Sequence, residues 1–181
     1  MAEEAAAQPA AVQLREIGSD DVVRRFRMET LDGGNPYLPL TIFLQRDAKK
    51  HNSMNVAKTY VGLDGQRVIG YISISCSQIA LEAPLAQELA GYPYEFPAVK
   101  IGKLAVDHRH RKLGLGGQLV DFAVAIVKNE IKPKVGCRFI IVDSHKSAVE
   151  FYQKKGFTLL DTEKNKARPA PLMFLDIGKL G

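Results

Sequence analysis

The chain has 181 residues, of which 46% are hydrophobic and 25% charged, and it carries a formal net charge of +5. This length suits one domain with a substantial core, and the composition is that of an ordinary globular protein. The basic balance favours an anionic ligand or a nucleic acid without deciding between them. The two cysteines, Cys76 and Cys137, are far apart, and no HExxH spacing occurs. We therefore expect neither a disulfide framework nor a bound metal.

The chain contains no apolar run of transmembrane length, and its N-terminus lacks the basic and then apolar layout of a secretion signal. These two features predict a cytoplasmic protein that does not contact the membrane. We interpret the alanine-rich residues 1–11 as a flexible tail and residues 12–181 as the folded domain.

The first predicted elements are a strand, a short helix and a loop. Residues 12–17 alternate like a strand. Asp20 or Asp21 is expected to cap a short helix that reaches about Met28. Turn-forming residues crowd 31–39 and predict a loop.

Next along the chain, apolar side chains at helical spacing predict a helix over residues 40–52. Two strand-like runs flank residues 64–66, which suits a hairpin. Residues 83–97 hold a short helix candidate and a loop rich in proline and tyrosine, and residues 99–107 read as a strand.

The C-terminal part alternates between helices and strands. A helix follows residue 114, a buried strand is expected at 137–143, and a helix runs from Ser147 to Lys155, where Gly156 ends it. Two final strands follow. A hairpin followed by strand, helix, strand, helix and strand predicts an α/β or α+β fold with one central sheet.

The stretch RKLGLGGQLV, residues 111–120, places two cations and three glycines between a strand and a helix. Free N–H groups at a helix start, bare glycine backbone and added positive charge together suit the binding of a pyrophosphate. Two common phosphate motifs are excluded by spacing. No Gly-Lys pair is followed by Ser or Thr as a P-loop requires, and Leu119 stands where a dinucleotide fingerprint needs its third glycine.

The run from Arg111 to Gly116 is similar to the R/Q-x-x-G-x-G/A signature of the GNAT superfamily of N-acetyltransferases. Residues 149–157, VEFYQKKGF, resemble the second landmark of that superfamily, a Phe-Tyr helix that ends in Gly-Phe. Residues 59–75 resemble its central hairpin. The resemblance implies one GNAT domain with a central mixed, mostly antiparallel sheet flanked by helices.

The resemblance also implies a site for acetyl-CoA, with no metal. Backbone groups of one strand would hold the pantetheine arm and the thioester carbonyl, and N–H groups of the glycine turn would hold the pyrophosphate. The implied cofactor-binding residues are Leu104, Ala105, Val106, Arg111, Lys112, Leu113, Gly114, Leu115, Gly116 and Gly117. Tyr152 is the candidate catalytic residue, because a phenol can donate a proton to the departing sulfur.

Within the superfamily, the chain looks most like the toxin acetyltransferases that act on aminoacyl-tRNA, on the strength of residues 43–52, 102–107 and 149–157. That branch usually shows a Phe-x-Cys-Gly segment, whereas here Phe26 is followed by Arg27, Met28 and Glu29, with no cysteine. The implied partners are an amine acceptor such as aminoacyl-tRNA, an antitoxin, and a second copy of the chain in a homodimer. Two alternatives stay open: acetylation of a small-molecule or protein amine, and a non-catalytic acyl-CoA sensor.

Several residues carry two interpretations from sequence alone. Glu95 and His108 lie near the predicted site, but each is more typical of a solvated side chain than of a general base. Tyr92, Tyr94 and Phe96 suit either stacking on a substrate or a plug over the core. An RNA-binding face and a solvated surface are equally compatible with a set of basic residues: Lys49, Lys50, Lys132, Lys134, Lys164, Lys166 and Arg168.

Overall fold

The computed structural model of the chain describes residues 12–28, 37–81 and 95–180. Within these ranges, seven strands form one sheet in the order β1-β2-β3-β4-β5-β7-β6. The strands are β1 (Gln13–Glu16), β2 (Lys58–Asp64), β3 (Arg67–Ala80), β4 (Glu95–Val106), β5 (Phe139–Asp143), β6 (Thr158–Leu159) and β7 (Leu172–Asp176). All neighbouring pairs in this sheet are antiparallel except β4 and β5, which are parallel. The predicted mixed, mostly antiparallel sheet is confirmed.

Helices cover both faces of the sheet. They are α1 (Leu38–Ile42), α2 (Ala48–Ser53), α3 (Leu115–Ile126), α4 (Val149–Lys154) and α5 (Glu163–Lys166). A π-helical turn, Phe43–Asp47, joins α1 to α2, and a second one, Val127–Ile131, extends α3. None of the helices in the described ranges is long and apolar enough to cross a membrane.

The two faces of the sheet carry separate parts of the core. On one face, Leu115 and Leu119 of α3 pack in a cluster with Ile72. On the other, Phe43 from the π-helical turn packs in a cluster with Tyr71. Successive strand residues point to opposite faces, so β3 serves both clusters. The Tyr71 hydroxyl also donates a 2.8 Å hydrogen bond to the Leu40 carbonyl, which attaches the α1 region to the sheet.

Strand β4 changes its pairing in the middle. Ser73 of β3 pairs with Lys103, while Ile74 pairs with Ile101, so Gly102 lies in a bulge without a direct partner. Parallel pairing with β5 covers only Ala98 to Ile101 of β4. Beyond the bulge, β3 is therefore the one strand neighbour of β4 among the described residues, and no described strand pairs with its other edge.

The structure corrects the prediction of a short helix capped by Asp20 or Asp21. No helix lies between residues 12 and 28. The Asp21 carboxylate instead accepts hydrogen bonds of 2.6 and 2.9 Å from Arg15 and one of 2.7 Å from the Gly18 N–H. Because these bonds point back toward β1, the carboxylate is not available to cap a following helix.

The other predicted elements match wherever the structure describes them. The strand at 12–17, the hairpin around 64–66 and the last two strands are all present. The helix predicted over 40–52 is present as α1, the π-helical turn and α2, and the helices predicted after residue 114 and at 147–155 contain α3 and α4. The predicted loop at 31–39 lies largely outside the described residues, and α1 begins at its end. The helix candidate and loop at 83–97 also fall outside the described residues, except that 95–97 begin β4.

The close approach of α3 to β3 makes Gly70 sensitive to substitution. A methyl group added there would lie 2.8 Å from Leu115 Cδ2 and 3.1 Å from Leu119 Cδ1. We expect Gly70→Ala to lower the free energy of unfolding by about 1–3 kcal/mol through overpacking, measured by urea denaturation. Gly136→Ala is the control, because no atom lies within 4 Å of its added methyl. Equal losses in the two variants would contradict this account.

Candidate active site

Asp107, directly after β4, is fully buried and organises the turn that follows. Its carboxylate accepts bonds of 2.8 Å from Arg109 Nε, 2.8 Å from Arg109 Nη2 and 3.1 Å from the Arg109 N–H. A further bond of 3.1 Å comes from the Arg27 N–H, which belongs to a distant segment. The carboxylate thus fixes both the start of the turn and the segment packed beside it.

Two opposing effects act on the pKa of Asp107. Burial raises the pKa, but hydrogen bonds from Arg109 and from the Arg27 backbone, together with the charge of Arg109, lower it well below the usual range of a carboxyl. The side chain is therefore ionised across the physiological pH range, and its charge is compensated inside the turn.

The turn leads to an N-terminus of α3 that carries no compensating group. Lys112 and Gly114 both have positive φ, of 65° and 79°. Gly114 is the N-cap, so no side chain caps the first turn, and that turn contains no acidic residue. The free N–H groups and the positive end of the helix dipole are left for an anion.

The remaining two glycines of the turn lie against α4. A methyl group at Gly116 would lie 3.7 Å from both Phe151 and Val106, and one at Gly117 would lie 3.0 Å from the Lys155 ammonium. The Lys155 ammonium in turn binds Asp121 at 2.6 Å. Both glycines therefore lie on the side of α3 that faces α4; Gly116 has room for a methyl group, and the near neighbour of Gly117 is the mobile end of the Lys155 side chain.

The last residues of β4 lie beside this turn. Leu104 and Val106 pack on the α3 side of the sheet, and Ala105 is buried on the α1 side. All three pair with β3 on one edge only. Their other edge offers backbone donors and acceptors to an extended ligand, in the way that an added strand would use them.

Tyr152 of α4 lies on the same face as Leu104. Its ring is buried and packs edge-on to Phe151 and Phe157, with centroid distances of 5.0 and 5.4 Å. Burial raises its pKa, so the phenol keeps its proton at neutral pH. Within the described ranges, no protein group forms a hydrogen bond with its hydroxyl.

A cavity of about 550 Å³ opens on the opposite face, at the bulge in β4. It is lined by Gly102, Lys103 and Ser73 from the sheet and by Phe43, Asp47 and His51 from the helical segment, among others. The Lys103 ammonium lies 4.8 Å from the centroid of the Phe43 ring. Among the described lining residues, Asp47 is the one carboxylate and Lys103 the one primary ammonium.

Comparison with known proteins agrees with this arrangement. Residues 55–159, more than half of the chain, match the acetyltransferase (GNAT) domain family. The chain belongs to the GNAT acetyltransferase family. The GNAT resemblance and the N-acetyltransferase activity predicted from the sequence are thereby confirmed.

Solved structures of toxin acetyltransferases have the same fold as this GNAT domain. AtaT complexed with acetyl-methionyl-tRNAfMet matches with a TM-score of 0.78 at 21% identity, over 93% of this chain and 96% of that chain. A tyrosine-to-phenylalanine mutant of KacT matches with the same values. AtaTR bound with AcCoA matches with a TM-score of 0.70 at 19% identity, over 93% of this chain and 95% of that chain.

The structure brings together most of the residues that the sequence predicted for the GNAT site. Leu104 to Val106, the turn from Lys112 to Gly117, and Tyr152 converge on the end of β4. Arg111 lies at the edge of this group of residues, where its Nη2 is 3.7 Å from Met28 Sδ. Leu113 is exposed in the turn.

The remaining candidate residues from the sequence lie away from the end of β4, contact other protein groups or fall outside the described residues. Glu95 is exposed at the start of β4, and His108 contacts the Arg27 carbonyl at 3.3 Å. Phe96 is a core residue packed on Phe139, whereas Tyr92 and Tyr94 lie outside the described residues. Sequence reasoning missed that the backbone of Arg25 and Arg27 contacts the turn after β4, because the two segments are distant in the chain.

The buried carboxylate gives a pH-dependent prediction. Asp107→Asn should lower the free energy of unfolding at pH 7 by about 3–5 kcal/mol, because it breaks a buried ion pair. A depressed folded-state pKa stabilises the protein above the unfolded-state pKa of about 3.9, and this stabilisation is lost as pH falls below it. Urea unfolding from pH 7 to pH 3 should therefore show the difference between wild type and variant narrowing below about pH 4.

The matched control is Asp64→Asn, at an exposed position in the β2–β3 hairpin. It should leave stability unchanged at every pH. A difference between wild type and Asp107→Asn that stayed constant down to pH 3 would contradict the assignment of an ionised, stabilising carboxylate.

Proposed function

We propose that this protein is an acetyl-CoA-dependent N-acetyltransferase whose acceptor is the amino group of an aminoacyl-tRNA. The observation that carries the proposal is the unpaired edge of β4, which runs from the cavity at the bulge to the uncapped N-terminus of α3. A ligand with amides in the middle and a pyrophosphate at one end, as acetyl-CoA has, matches that order of groups.

Each part of the site has a role in this proposal. N–H groups from Lys112 to Gly117 bind the pyrophosphate, with positive charge from Arg111 and Lys112. Backbone groups of Leu104, Ala105 and Val106 pair with the pantetheine arm and polarise the thioester carbonyl. Positioning of the two reactants supplies much of the rate enhancement, because acetyl-CoA already carries an activated acyl group.

Acetyl transfer then needs one proton donor. The neutral acceptor amine attacks the thioester carbonyl, an amide C–N bond forms, and the C–S bond breaks. The Tyr152 hydroxyl donates its proton to the departing sulfur, and the proton lost by the acceptor nitrogen balances it through solvent. An α-amino group has a reference pKa of about 7.7–8.0 against about 10.4 for lysine, so a much larger fraction of this acceptor is neutral near pH 7 and it depends less on a dedicated base.

Three observations support aminoacyl-tRNA over a small polyamine. The chain has a net charge of +5. The described lining of the cavity balances one carboxylate against one ammonium, so it lacks the surplus of negative charge that a polycation would need. The fold is also like that of AtaT complexed with acetyl-methionyl-tRNAfMet. Aminoacyl-tRNA and acetyl-CoA meet in the cytoplasm, so the proposal places the protein there.

The likeness extends to a structure of an AtaT mutant bound to the C-terminus of the antitoxin AtaR and acetyl-CoA, at 20% identity over 93% of this chain. We therefore include an antitoxin among the proposed partners. The homodimer considered from the sequence stays a prediction. Acetylation of a small-molecule or protein amine is the alternative, and the presence of Tyr152 argues against a non-catalytic sensor.

Coenzyme binding is tested at Gly114, where an added side chain meets no atom within 4 Å. Acetyl-CoA at 100 times its dissociation constant should stabilise the wild type by about 2.7 kcal/mol, measured as a shift in melting temperature. Gly114→Asp should abolish the shift by placing negative charge at the pyrophosphate. Gly114→Asn, which tolerates the same positive φ, should retain most of it. Equal shifts in the two variants would contradict the assignment.

Tyr152→Phe tests the proton donor. Because no group of the described residues binds the hydroxyl, the variant should keep its fold and its acetyl-CoA affinity while turnover falls about 10²–10⁴-fold. Tyr71→Phe is the control, since it removes a buried hydroxyl that binds the Leu40 carbonyl and should lower stability without lowering turnover per folded molecule. Full activity of Tyr152→Phe would make Tyr152 a packing residue.

A further inference from the structure

Two basic segments lie side by side at the end of β4. They are residues 22–28, VVRRFRM, and residues 107–113, DHRHRKL, and we call them the paired basic segments. Together they contain five arginines and one lysine, and Asp107 is the only carboxylate in either of them. Contacts between them join residues 80 to 84 positions apart in the chain.

Backbone atoms carry most of the contacts between the two segments. The His108 N–H donates to the Arg27 carbonyl at 3.0 Å, and Arg109 Nη2 donates to the Arg25 carbonyl at 2.8 Å. The Arg27 N–H donates to Asp107 at 3.1 Å. Arg109 and Arg111, whose Nη2 lies 3.7 Å from Met28 Sδ, are the arginine heads that contact the opposite segment, so the Arg24 and Arg25 heads are not needed to hold the two segments together.

Most of the positive charge of the paired basic segments is not neutralised by a carboxylate within them. Asp107 is fully buried and bound by Arg109, so it does not neutralise the exposed cations. The Arg24 and Arg25 side chains are exposed, and neither forms a hydrogen bond or ion pair with the described residues. Like charges gathered on one surface repel each other, and a polyanion removes that repulsion when it binds.

The paired basic segments contact the π-helical turn that forms one wall of the cavity at the bulge. Gln45 Nε2 donates to the Arg24 carbonyl at 3.3 Å and to the Phe26 carbonyl at 3.1 Å. Gln45 belongs to the π-helical turn, whose residues Phe43 and Asp47 line the cavity on either side of it in sequence. Because residues two apart in a helix face opposite sides, an anion bound at Arg24 lies next to the outer side of this turn, and the cavity lies on its inner side.

We propose that Arg24 and Arg25 bind the phosphate backbone of the acceptor RNA close to its aminoacylated end, while that end enters the cavity at the bulge. This inference rests on the proposed function and names the surface that its RNA acceptor uses. Arg111 and Lys112 lie next to the turn that is proposed to bind the pyrophosphate, so substituting them could affect both ligands. Arg24 and Arg25 are therefore the cations whose substitution tests RNA binding separately from coenzyme binding.

The test compares two neutralised variants of equal charge on two acceptors. The first is Arg24→Gln with Arg25→Gln, and the control is Lys134→Gln with Lys164→Gln, two exposed lysines of the basic set considered from the sequence. The acceptors are bulk aminoacyl-tRNA and an amino-acid ethyl ester, which has the same amine but no phosphate. Acetylation is followed with labelled acetyl-CoA between 50 and 200 mM salt, and acetyl-CoA affinity is measured in parallel.

We expect the arginine variant to raise the KM for aminoacyl-tRNA at least tenfold and to reduce the slope of log affinity against log salt by about 2. Activity on the ethyl ester and acetyl-CoA affinity should stay within about twofold of wild type. The lysine control should behave as wild type on both acceptors, because its side chains lie outside the paired basic segments.

The other outcomes overturn the inference in distinguishable ways. An unchanged KM for tRNA in the arginine variant places the RNA elsewhere and leaves the proposed function intact. The same loss in the lysine control assigns RNA binding to the other basic set. Weaker acetyl-CoA binding in the arginine variant assigns these cations to the coenzyme. A wild type that acetylates the ester but no tRNA removes the RNA acceptor altogether while keeping acetyl transfer.

Discussion

Strand β4 has a neighbour on both sides up to Ile101 and on one side only after Gly102. Unpaired backbone groups in a partly buried position need a partner, so this edge is the constraint around which the site is built. Helix α3, which follows β4, and helix α4, which follows β5, lie on the same face of the sheet. Gly116 of α3 faces Phe151 of α4 across the opening, with room for a methyl group between them.

Asp107 connects the two halves of the site. A buried carboxylate is costly to desolvate, and here its hydrogen bonds come from the turn that leads to α3 and from the segment that leads toward α1. In the proposed function the turn belongs to the coenzyme half of the site and the Arg27 segment to the acceptor half. The ionised Asp107 carboxylate therefore fixes the position of the turn relative to the Arg27 segment.

Sequence patterns sufficed for the elements whose signals are local. The hairpin at Gly65, the apolar face of α3 and the stop at Gly156, where φ is +85°, follow from periodicity and turn chemistry. The helix expected after Asp21 failed because the carboxylate binds Arg15, a choice that local propensity does not determine. The packing of Gly117 against Lys155 likewise depends on how α3 and α4 meet, so no local rule predicts it.

The basic surface was harder to predict, because the sequence does not show which basic side chains are already paired with neighbouring groups in the folded protein. The Lys49 ammonium binds the carbonyls of Ser19 and Asp21, Lys166 pairs with Asp161, and Arg168 pairs with Asp143. Three members of the expected RNA-binding set thus have local partners. Arg24 and Arg25, which lack such partners among the described residues, become part of one surface with residues 107–113 only when the chain folds.

Both halves of the site use backbone atoms for their fixed geometry, and this has a consequence for specificity. In the proposed coenzyme half, N–H groups bind the phosphates. In the acceptor half, carbonyls of Arg25 and Arg27 hold the segment in place. Side chains at positions 24 and 25 can therefore differ without disturbing the coenzyme half. Substitution at these two positions would change the charge of the proposed acceptor surface while the backbone contacts that hold the segment stay the same.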